Sequence, residues 1–354
     1  MTTKLAVVIL NYNGKHWLEQ FLPSVVAHSQ GFEIVVADNA STDDSIPFLQ
    51  VNYPQIHILI LEKNWGFAEG YNRALAQIQS EYYVLLNSDV EVTPHWIEPL
   101  LDLLEANPEI VACQPKMLAY YQKNEFEYAG AAGGFVDRWG YPFCRGRLFD
   151  TMETDQGQYN DTSEIFWASG ACLFIRGEIY QQIGGLDGDF FAHMEEIDLC
   201  WRLKNAGHKI FFVSQSVIYH VGGGTLSSSN SRKTFLNFRN NLALLCKNLP
   251  LQRLIPTLLI RILLDGAAAL YFISKGNHAA GQQVFKAYFS FFSQIGTWLG
   301  KRRKTSRNQA HKELYPYSVV FQYFLQKKKY FQDLKKKPEK SSEPTKKLNL
   351  LAKK

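Results

Sequence analysis

The chain has 354 residues, 46% of them hydrophobic and 20% charged, an ordinary globular balance that excludes a collagenous or wholly disordered polymer and fits one large domain plus an appendage. The net charge of +5 hides an asymmetry: Lys301 to Lys354 carries 17 Lys or Arg against 4 Asp or Glu, whereas the first 300 residues carry 21 against 29. Five widely spaced cysteines with no C-x-x-C exclude a zinc knuckle or disulfide framework and fit a reducing cytoplasm.

The opening MTTKLAVVILNYNG has an apolar run of six residues, Leu5 to Leu10, with no small-residue cleavage site. It reads as a first strand, not as a secretory signal. Apolar runs LAVVIL, EIVVAD, IHILIL and YYVLL then alternate with helical patterns near Trp17 to Ala27, Ser45 to Gln50 and Ala68 to Gln79. Strands apolar throughout and separated by helices predict an α/β fold with a mostly parallel sheet covered on both faces. In such sheets ligands bind at the carboxyl ends of the strands. The polar residues after each run, Asn11 to Gly14, Asp38 to Asp43, Asn64 to Gly66 and Asn87 to Asp89, are therefore expected to line one crevice.

Next, TPHWIEPLLDLLEANPEI predicts a helix with Thr93 as N-cap, Pro94 at the first helical position and a stop at Asn107-Pro108. Residues 120–165 are rich in Gly, Tyr and Asp with little periodicity, the pattern of long loops or an irregular hairpin over the crevice. From Arg232 onward the pattern is helical. Arg253, Thr257, Arg261 and Asp265 recur every fourth residue in a run otherwise made of Leu, Ile and Ala, so one polar stripe marks an amphipathic helix that Arg261 and Asp265 keep from being a membrane span. A second amphipathic and aromatic helix covers 282–299, followed by KRRK and later KKK clusters; beyond Pro338 the Lys, Glu, Ser and Pro composition is that of a disordered end.

Asp38 and Asp89 each end an apolar strand. One is placed to bind a base or ribose and the other a divalent cation, since Mg²⁺ and Mn²⁺ take hard oxygen ligands and share them with substrate phosphates. Each on its own reads equally as a turn or helix cap. Glu195, Glu196 and Asp198 cluster before a Leu/Trp/Leu helical pattern, where the helix dipole favours them and where crowding also raises a carboxyl pKa toward that of a general base. His220, before three glycines, is either a metal ligand or structural.

Taken in order, VVILNYNG, IVVADNASTDDS, LEKNWGFAEGYNRAL, YYVLLNSDVEV, WASGACLFIRGEIYQQIGGLDGDFFAHMEEIDLCWRL and VIYHVGGGT resemble the family 2 inverting glycosyltransferases of GT-A fold, notably the rhamnosyltransferase-like branch, over about residues 4–245. The resemblance implies a nucleotide-diphosphate sugar donor, with Asn11 and Asp38 near base and ribose and Asn64, Gly66 and Phe67 lining the nucleotide pocket. It implies that Asp89 is the last acid of a metal-binding D-x-D motif whose first position here is Asn87, that Ser169 and Gly170 border donor and acceptor, and that His220 contacts metal or diphosphate. The family's catalytic Glu-Asp pair corresponds to Glu195-Glu196, with Glu196 the base and Asp198 its rival. The cofactor implied is a divalent cation, Mg or Mn.

The expected organisation is a GT-A domain over 1–230, a helical extension over 231–300 that is membrane-interfacial or packed on the domain, and a basic, partly disordered tail over 301–354. Apolar burial plus attraction of basic residues to anionic lipid suits the inner face of the plasma membrane, where a glycan or lipid-linked acceptor would be met. No nucleic-acid module accompanies the tail, so no nucleic-acid partner is expected. The absence of G-x-G-x-x-G after the first strand disfavours a dehydrogenase. LNYNGKHW is a poor phosphate loop for a nucleotidyltransferase, and a non-catalytic sugar-nucleotide-binding scaffold is the remaining alternative.

Overall fold

The computed structural model describes residues 3–222, 231–302 and 310–334. Strand and helix alternate through β1 (Thr3–Asn11), α1 (Lys15–His28), β2 (Glu33–Asp38), α2 (Ser45–Asn52), β3 (His57–Ile60), α3 (Gly66–Leu75) and β4 (Ser80–Asn87). Helical crossovers return each strand in the same direction, and β3, β2, β1 and β4 are neighbours in parallel. Along β1, Leu5, Val7 and Ile9 enter one core while Ala6 and Val8 enter the other. Burial on both faces is why these strands read as unbroken apolar runs.

The next helix starts later than its sequence signals imply. After β5 (Val90–Val92) comes α4 (Glu98–Ala106), with Ile97 as N-cap and Pro99 in the first turn. Thr93 is not the cap because its hydroxyl donates to the Val217 carbonyl at 2.7 Å, and His95 takes a left-handed φ of 60° that no helix continues. The chain then forms β6 (Ile110–Ala119), the short strands β7 (Gly134–Val136), β8 (Pro142–Cys144), β9 (Arg147–Leu148) and β10 (Thr151–Met152), and β11 (Thr162–Glu164). Strands β7 to β10 make a small separate sheet in the stretch that lacks periodicity.

β12 (Cys172–Arg176), α5 (Gly177–Ile183), α6 (Glu195–Asn205) and β13 (Lys209–His220) complete the main sheet, whose order is β11-β13-β6-β12-β4-β1-β2-β3 with β5 paired to β13. The sheet is mixed: β12 runs antiparallel to both β4 and β6, whereas β13 and β6 are parallel. Helices α7 (Ser231–Asn248), α8 (Leu251–Ser274), α9 (His278–Ser293) and α10 (Ile295–Gly300) follow. Leu242, Leu244 and Leu245 of α7, Phe291 of α9 and Trp298 of α10 join the core on the α3/α6 side of the sheet.

Within the segment read as a tail, residues 310–334 run back over the body. Tyr315, Val319, Tyr323 and Leu334 form a third apolar cluster with Phe143 and Leu148 of the small sheet. The clusters Arg303-Lys304 and Lys335 to Lys337, and the composition beyond Pro338, lie outside the described residues. α8 is long and apolar enough to cross a membrane by length and composition, with a mean hydropathy of 1.6 over its most apolar window, yet Arg261 and Asp265 are buried against the protein. The five cysteines are all free and buried.

Candidate active site

Parallel register aligns the strand ends. Asn11 pairs with Asp38 across β1 and β2, and Leu10 pairs with Asn87 across β1 and β4. Asn11 Nδ2 donates to Asp38 Oδ1 at 3.0 Å, and Asp38 Oδ2 accepts the Ser41 amide at 2.8 Å. Asp38 therefore holds its own turn, as the capping reading requires, while Asn11 Oδ1 is buried without a hydrogen-bond partner. A buried acceptor left unpaired costs about 1–3 kcal/mol.

Asn39 organises the adjoining wall. Its side chain donates to Asn64 Oδ1 at 3.2 Å and to the Gly66 carbonyl at 3.0 Å, and accepts the Trp65 amide at 2.9 Å. Gly66 has φ 75°, and a Cβ there would stand 2.8 Å from the Phe191 ring, so this first residue of α3 tolerates no side chain. The Phe67 amide donates to the Phe191 carbonyl at 3.1 Å. A Cβ on Gly170 would lie 3.4 Å from the Phe67 ring and 3.6 Å from Glu196 Cβ, so Gly66, Phe67, Gly170 and Glu196 form one continuous wall. Ser169 is buried beside it, its amide donating to Gln114 Oε1 at 2.9 Å.

Antiparallel pairing of β5 with β13 sets His220 opposite Val90, next to Asp89. His220 Nε2 is 3.2 Å from Asp89 Oδ1 and 3.4 Å from Asn87 Nδ2. Its Nδ1 lies 3.2 Å from Glu127 Oε1 but is not aligned for a hydrogen bond, and both atoms lack one. Burial pulls the imidazole pKa down, but the carboxylates of Asp89 and Glu127 outweigh it and push it up to about 10. Among the described residues no group of three or more His, Cys, Asp or Glu has the arrangement of a metal site. Asp89 nonetheless fits a cation that takes its remaining ligands from phosphate and water, since Mg²⁺ and Mn²⁺ are commonly held by one or two protein groups; His220, protonated between its two carboxylates, would have to give up a proton to join it. Gly222 has φ 71°; Gly223 and Gly224 lie outside the described residues.

The three acids of α6 separate into two kinds. Asp198 is fully buried and committed: Arg202 Nε and Lys247 Nζ donate to Oδ2, each at 2.8 Å, and Asn248 Nδ2 donates to Oδ1 at 2.8 Å. Burial pushes its pKa up, but Lys247 and Arg202 outweigh it and hold the carboxyl well below the usual range. This geometry counts against Asp198 as the base, because a carboxylate bound on both oxygens by two cations and an amide has little proton affinity. Glu195 and Glu196 are the reverse. Oε2 of each is buried with no partner; burial, then the charge of Glu196, raises Glu195 well above its ordinary value, and burial pushes Glu196 up to about 7.

The structure thus sets Asn11, Asp38, Asn87 and Asp89 at the carboxyl ends of neighbouring strands with His220 beside Asp89, lines the adjoining wall with Asn64, Gly66, Phe67, Ser169, Gly170, Glu196 and the neighbouring Glu195, and ties Asp198 to Arg202, Lys247 and Asn248. Sequence reasoning missed Glu127, which lies in the aperiodic stretch with no local signal. It also missed Asn240, whose Nδ2 reaches the carbonyls of Phe190, Ala192 and His193 at 2.9, 2.8 and 2.7 Å. Asn39 was visible within DNASTD but carried no assigned role.

The profile of Glycosyl transferase family 2 matches residues 6–184. An N-acetylglucosaminyl-diphospho-decaprenol L-rhamnosyltransferase of Mycobacterium tuberculosis is 28% identical over 242 residues, covering 64% of this chain and 78% of that protein. The rhamnosyltransferase WbbL of Escherichia coli is 22% identical, covering 58% of this chain and 79% of its own. Among solved structures, that of GalNAc-T7 with UDP, GalNAc and Mn2+ superposes with a TM-score of 0.58 at 14% identity, over 84% of this chain and 58% of that one. The mannosyltransferase PcManGT from Pyrobaculum calidifontis in complex with GDP-Man and Mn2+ gives a TM-score of 0.50 at 14% identity, over 88% and 87%. At such identities these two likenesses concern the fold, which is GT-A.

Proposed function

The chain belongs to glycosyl transferase family 2 and is a glycosyltransferase; from that premise we propose that it passes a sugar with inversion from a nucleotide-diphosphate donor to a hydroxyl of a glycan or lipid-linked acceptor in bacterial surface-polysaccharide synthesis. The likeness to two rhamnosyltransferases favours rhamnose as the sugar. The observation that carries this reading is the burial-raised carboxyl of Glu196, whose Oε2 has no partner, beside Gly170 and Phe67 on the wall that adjoins the strand ends.

Glu196 takes the proton of the acceptor hydroxyl as that oxygen attacks the anomeric carbon, and the nucleoside diphosphate leaves from the opposite face. Burial raises the proton affinity of Glu196, and burial with the charge of Glu196 keeps Glu195 protonated. Asn11 and Asp38 hold base and ribose, Asn64, Gly66 and Phe67 line the nucleotide pocket, and Ser169 and Gly170 stand between donor and acceptor. Asp89, with Asn87 beside it and His220 joining on loss of its proton, would hold a divalent cation, which would neutralise charge on the departing diphosphate. Residues 1–230 form the transfer domain, and the enzyme works in the cytoplasm at the inner face of the plasma membrane.

A thermal-shift screen of nucleotide sugars with and without Mn²⁺, run on the wild type and on Glu196→Gln, tests the reading. The expected result is that one donor stabilises both proteins, more with Mn²⁺, and that only the wild type releases nucleoside diphosphate when acceptor is present. A donor that binds the wild type without any turnover would leave a sugar-nucleotide-binding scaffold.

A further inference from the structure

The longest helix among the described residues is inside out. On α8 the polar residues Thr257, Arg261 and Asp265 face the body at 4%, 1% and 0% exposure, whereas Leu259, Leu263 and Leu270 on the opposite side are 60%, 70% and 66% exposed. A helix of a water-soluble body shows the reverse distribution. The inward stripe is firmly docked: Arg261 Nη2 meets Asp265 Oδ2 at 2.9 Å and Arg261 Nη1 donates to Asn241 Oδ1 of α7, and the hydroxyls of Tyr141 and Tyr288 donate to Asp265 at 2.6 and 2.7 Å. These contacts fix α8 lengthwise along the protein and leave its apolar side outward. The helix therefore lies on a surface rather than crossing one.

The apolar face extends beyond α8. α9 contributes Phe285 and Phe289, both exposed, and Tyr271 near the end of α8 has its ring 6.2 Å from that of Phe324, in the π-helical turn Phe321–Leu325. Cations border that edge. Lys275 Nζ lies 5.8 Å from the Tyr271 ring, Lys329 Nζ sits 3.5 Å over the Tyr323 ring, and Lys327 is exposed after the turn. The one acid between residues 250 and 302, Asp265, is buried against Arg261, so no exposed carboxylate of α8 to α10 repels an anionic partner.

We infer that the outer face of α8 and α9, with the turn at 321–325, is a docking surface that lies flat in the interfacial region of an anionic lipid bilayer. Apolar side chains enter the acyl boundary while the flanking lysines meet lipid phosphates, each worth about 1 kcal/mol near such a surface. A second copy is a poorer occupant, because a two-fold contact brings lysine rims together with no exposed helix carboxylate between them. Residues 335–354 are a poorer occupant too, their four apolar side chains, Leu348, Leu350, Leu351 and Ala352, standing among eight lysines. The inference deepens the membrane part of the reading above, and lipid binding does not depend on turnover.

Co-sedimentation of the full-length protein with vesicles of phosphatidylcholine alone, and of phosphatidylcholine mixed with phosphatidylglycerol, tests it. The wild type is expected to pellet with the mixed vesicles and weakly with the neutral ones. Leu259→Ser with Leu263→Ser is expected to weaken binding more than about tenfold, from the lost burial of two leucines, with unchanged thermal midpoint and unchanged donor hydrolysis. Lys275→Glu with Lys327→Glu is expected to abolish the preference for phosphatidylglycerol. Failure of the wild type to pellet, or equal binding by all variants, overturns the inference. So does a dimer in sedimentation velocity that the leucine variant dissociates, which assigns the face to a second copy. Vesicle binding by a protein that turns over no nucleotide sugar supports the surface while counting against the proposed chemistry.

Discussion

Glu196 and Asp198 stand two residues apart on one helix yet have opposite chemistry, and their substitutions separate the two. Burial raises Glu196 to about 7, so a base at this position makes kcat/KM fall as pH drops through about 7; the value belongs to the Glu195-Glu196 pair as a unit. The same shift carries a stability cost. The folded pKa lies above the unfolded value near 4.5, so the fold binds the proton more tightly and loses stability as pH rises from about 4.5 through about 7. Glu196→Gln is expected to lower kcat by at least 10²-fold and, at pH 8, to raise stability by about 2 kcal/mol in urea titration. Asp198→Asn is expected to behave differently. It leaves Arg202 buried without a carboxylate and Lys247 with Asp187 alone, at a cost of about 3–5 kcal/mol, with a pH profile still centred near 7 in whatever protein folds. A profile that loses its limb near pH 7 in Asp198→Asn, but keeps it in Glu196→Gln, would reverse the assignment.

At the scale of elements, the base is positioned by a helix that makes no contact of its own with donor or acceptor in this scheme. Phe191, His193 and Met194 have φ of 64°, 68° and 75°, each costing about 1–3 kcal/mol for a residue with a side chain, and they lead directly into Glu195. The buried Asn240 of α7 holds this segment by three of its carbonyls, and Arg239 adds bonds to Asp189 and Phe190. Asn240→Ala is expected to lower kcat by about 10- to 100-fold, because a displacement near 1 Å costs about that much, while calorimetry shows donor affinity changed by less than about threefold. Parallel loss of donor affinity would place Asn240 in the binding site instead. None of this was legible in the sequence, since the partners lie about fifty residues apart in the chain with no shared motif. The strand ends were legible because an apolar run that stops at Asp or Asn marks a carboxyl end by itself. The polar stripe of α8 was legible too, but helical period locates a stripe without saying which way it faces. Thr93 misled for a related reason: an N-cap residue type is only a candidate until its hydroxyl has no better acceptor, and here Val217 supplies one.

For the whole molecule, charge asymmetry and apolar packing draw the boundary in different places. A strongly basic composition from Lys301 reads as a tail, yet Tyr315, Val319, Tyr323 and Leu334 close the third apolar cluster. The Val319 amide donates to the buried Asp137 at 2.9 Å, the Tyr323 hydroxyl meets Thr151 at 2.8 Å, and Lys204 bridges Glu164 and Glu313 at 2.7 Å each. Truncation after Gly300 would open Phe143 and Leu148 to water and remove one of the donors that satisfy Asp137. At about 1.5–3 kcal/mol per buried apolar side chain, the loss of four such residues amounts to several kcal/mol, a large part of the 5–15 kcal/mol that holds a typical protein together. Truncation after Leu334 removes none of these contacts. The expected outcome is therefore a midpoint for the 1–334 protein within a degree or two of the full chain, and a 1–300 protein that melts at least about 10 °C lower or aggregates on expression. Equal midpoints for all three would show that residues 310–334 only rest on the body and that the composition boundary at Lys301 is also the structural one.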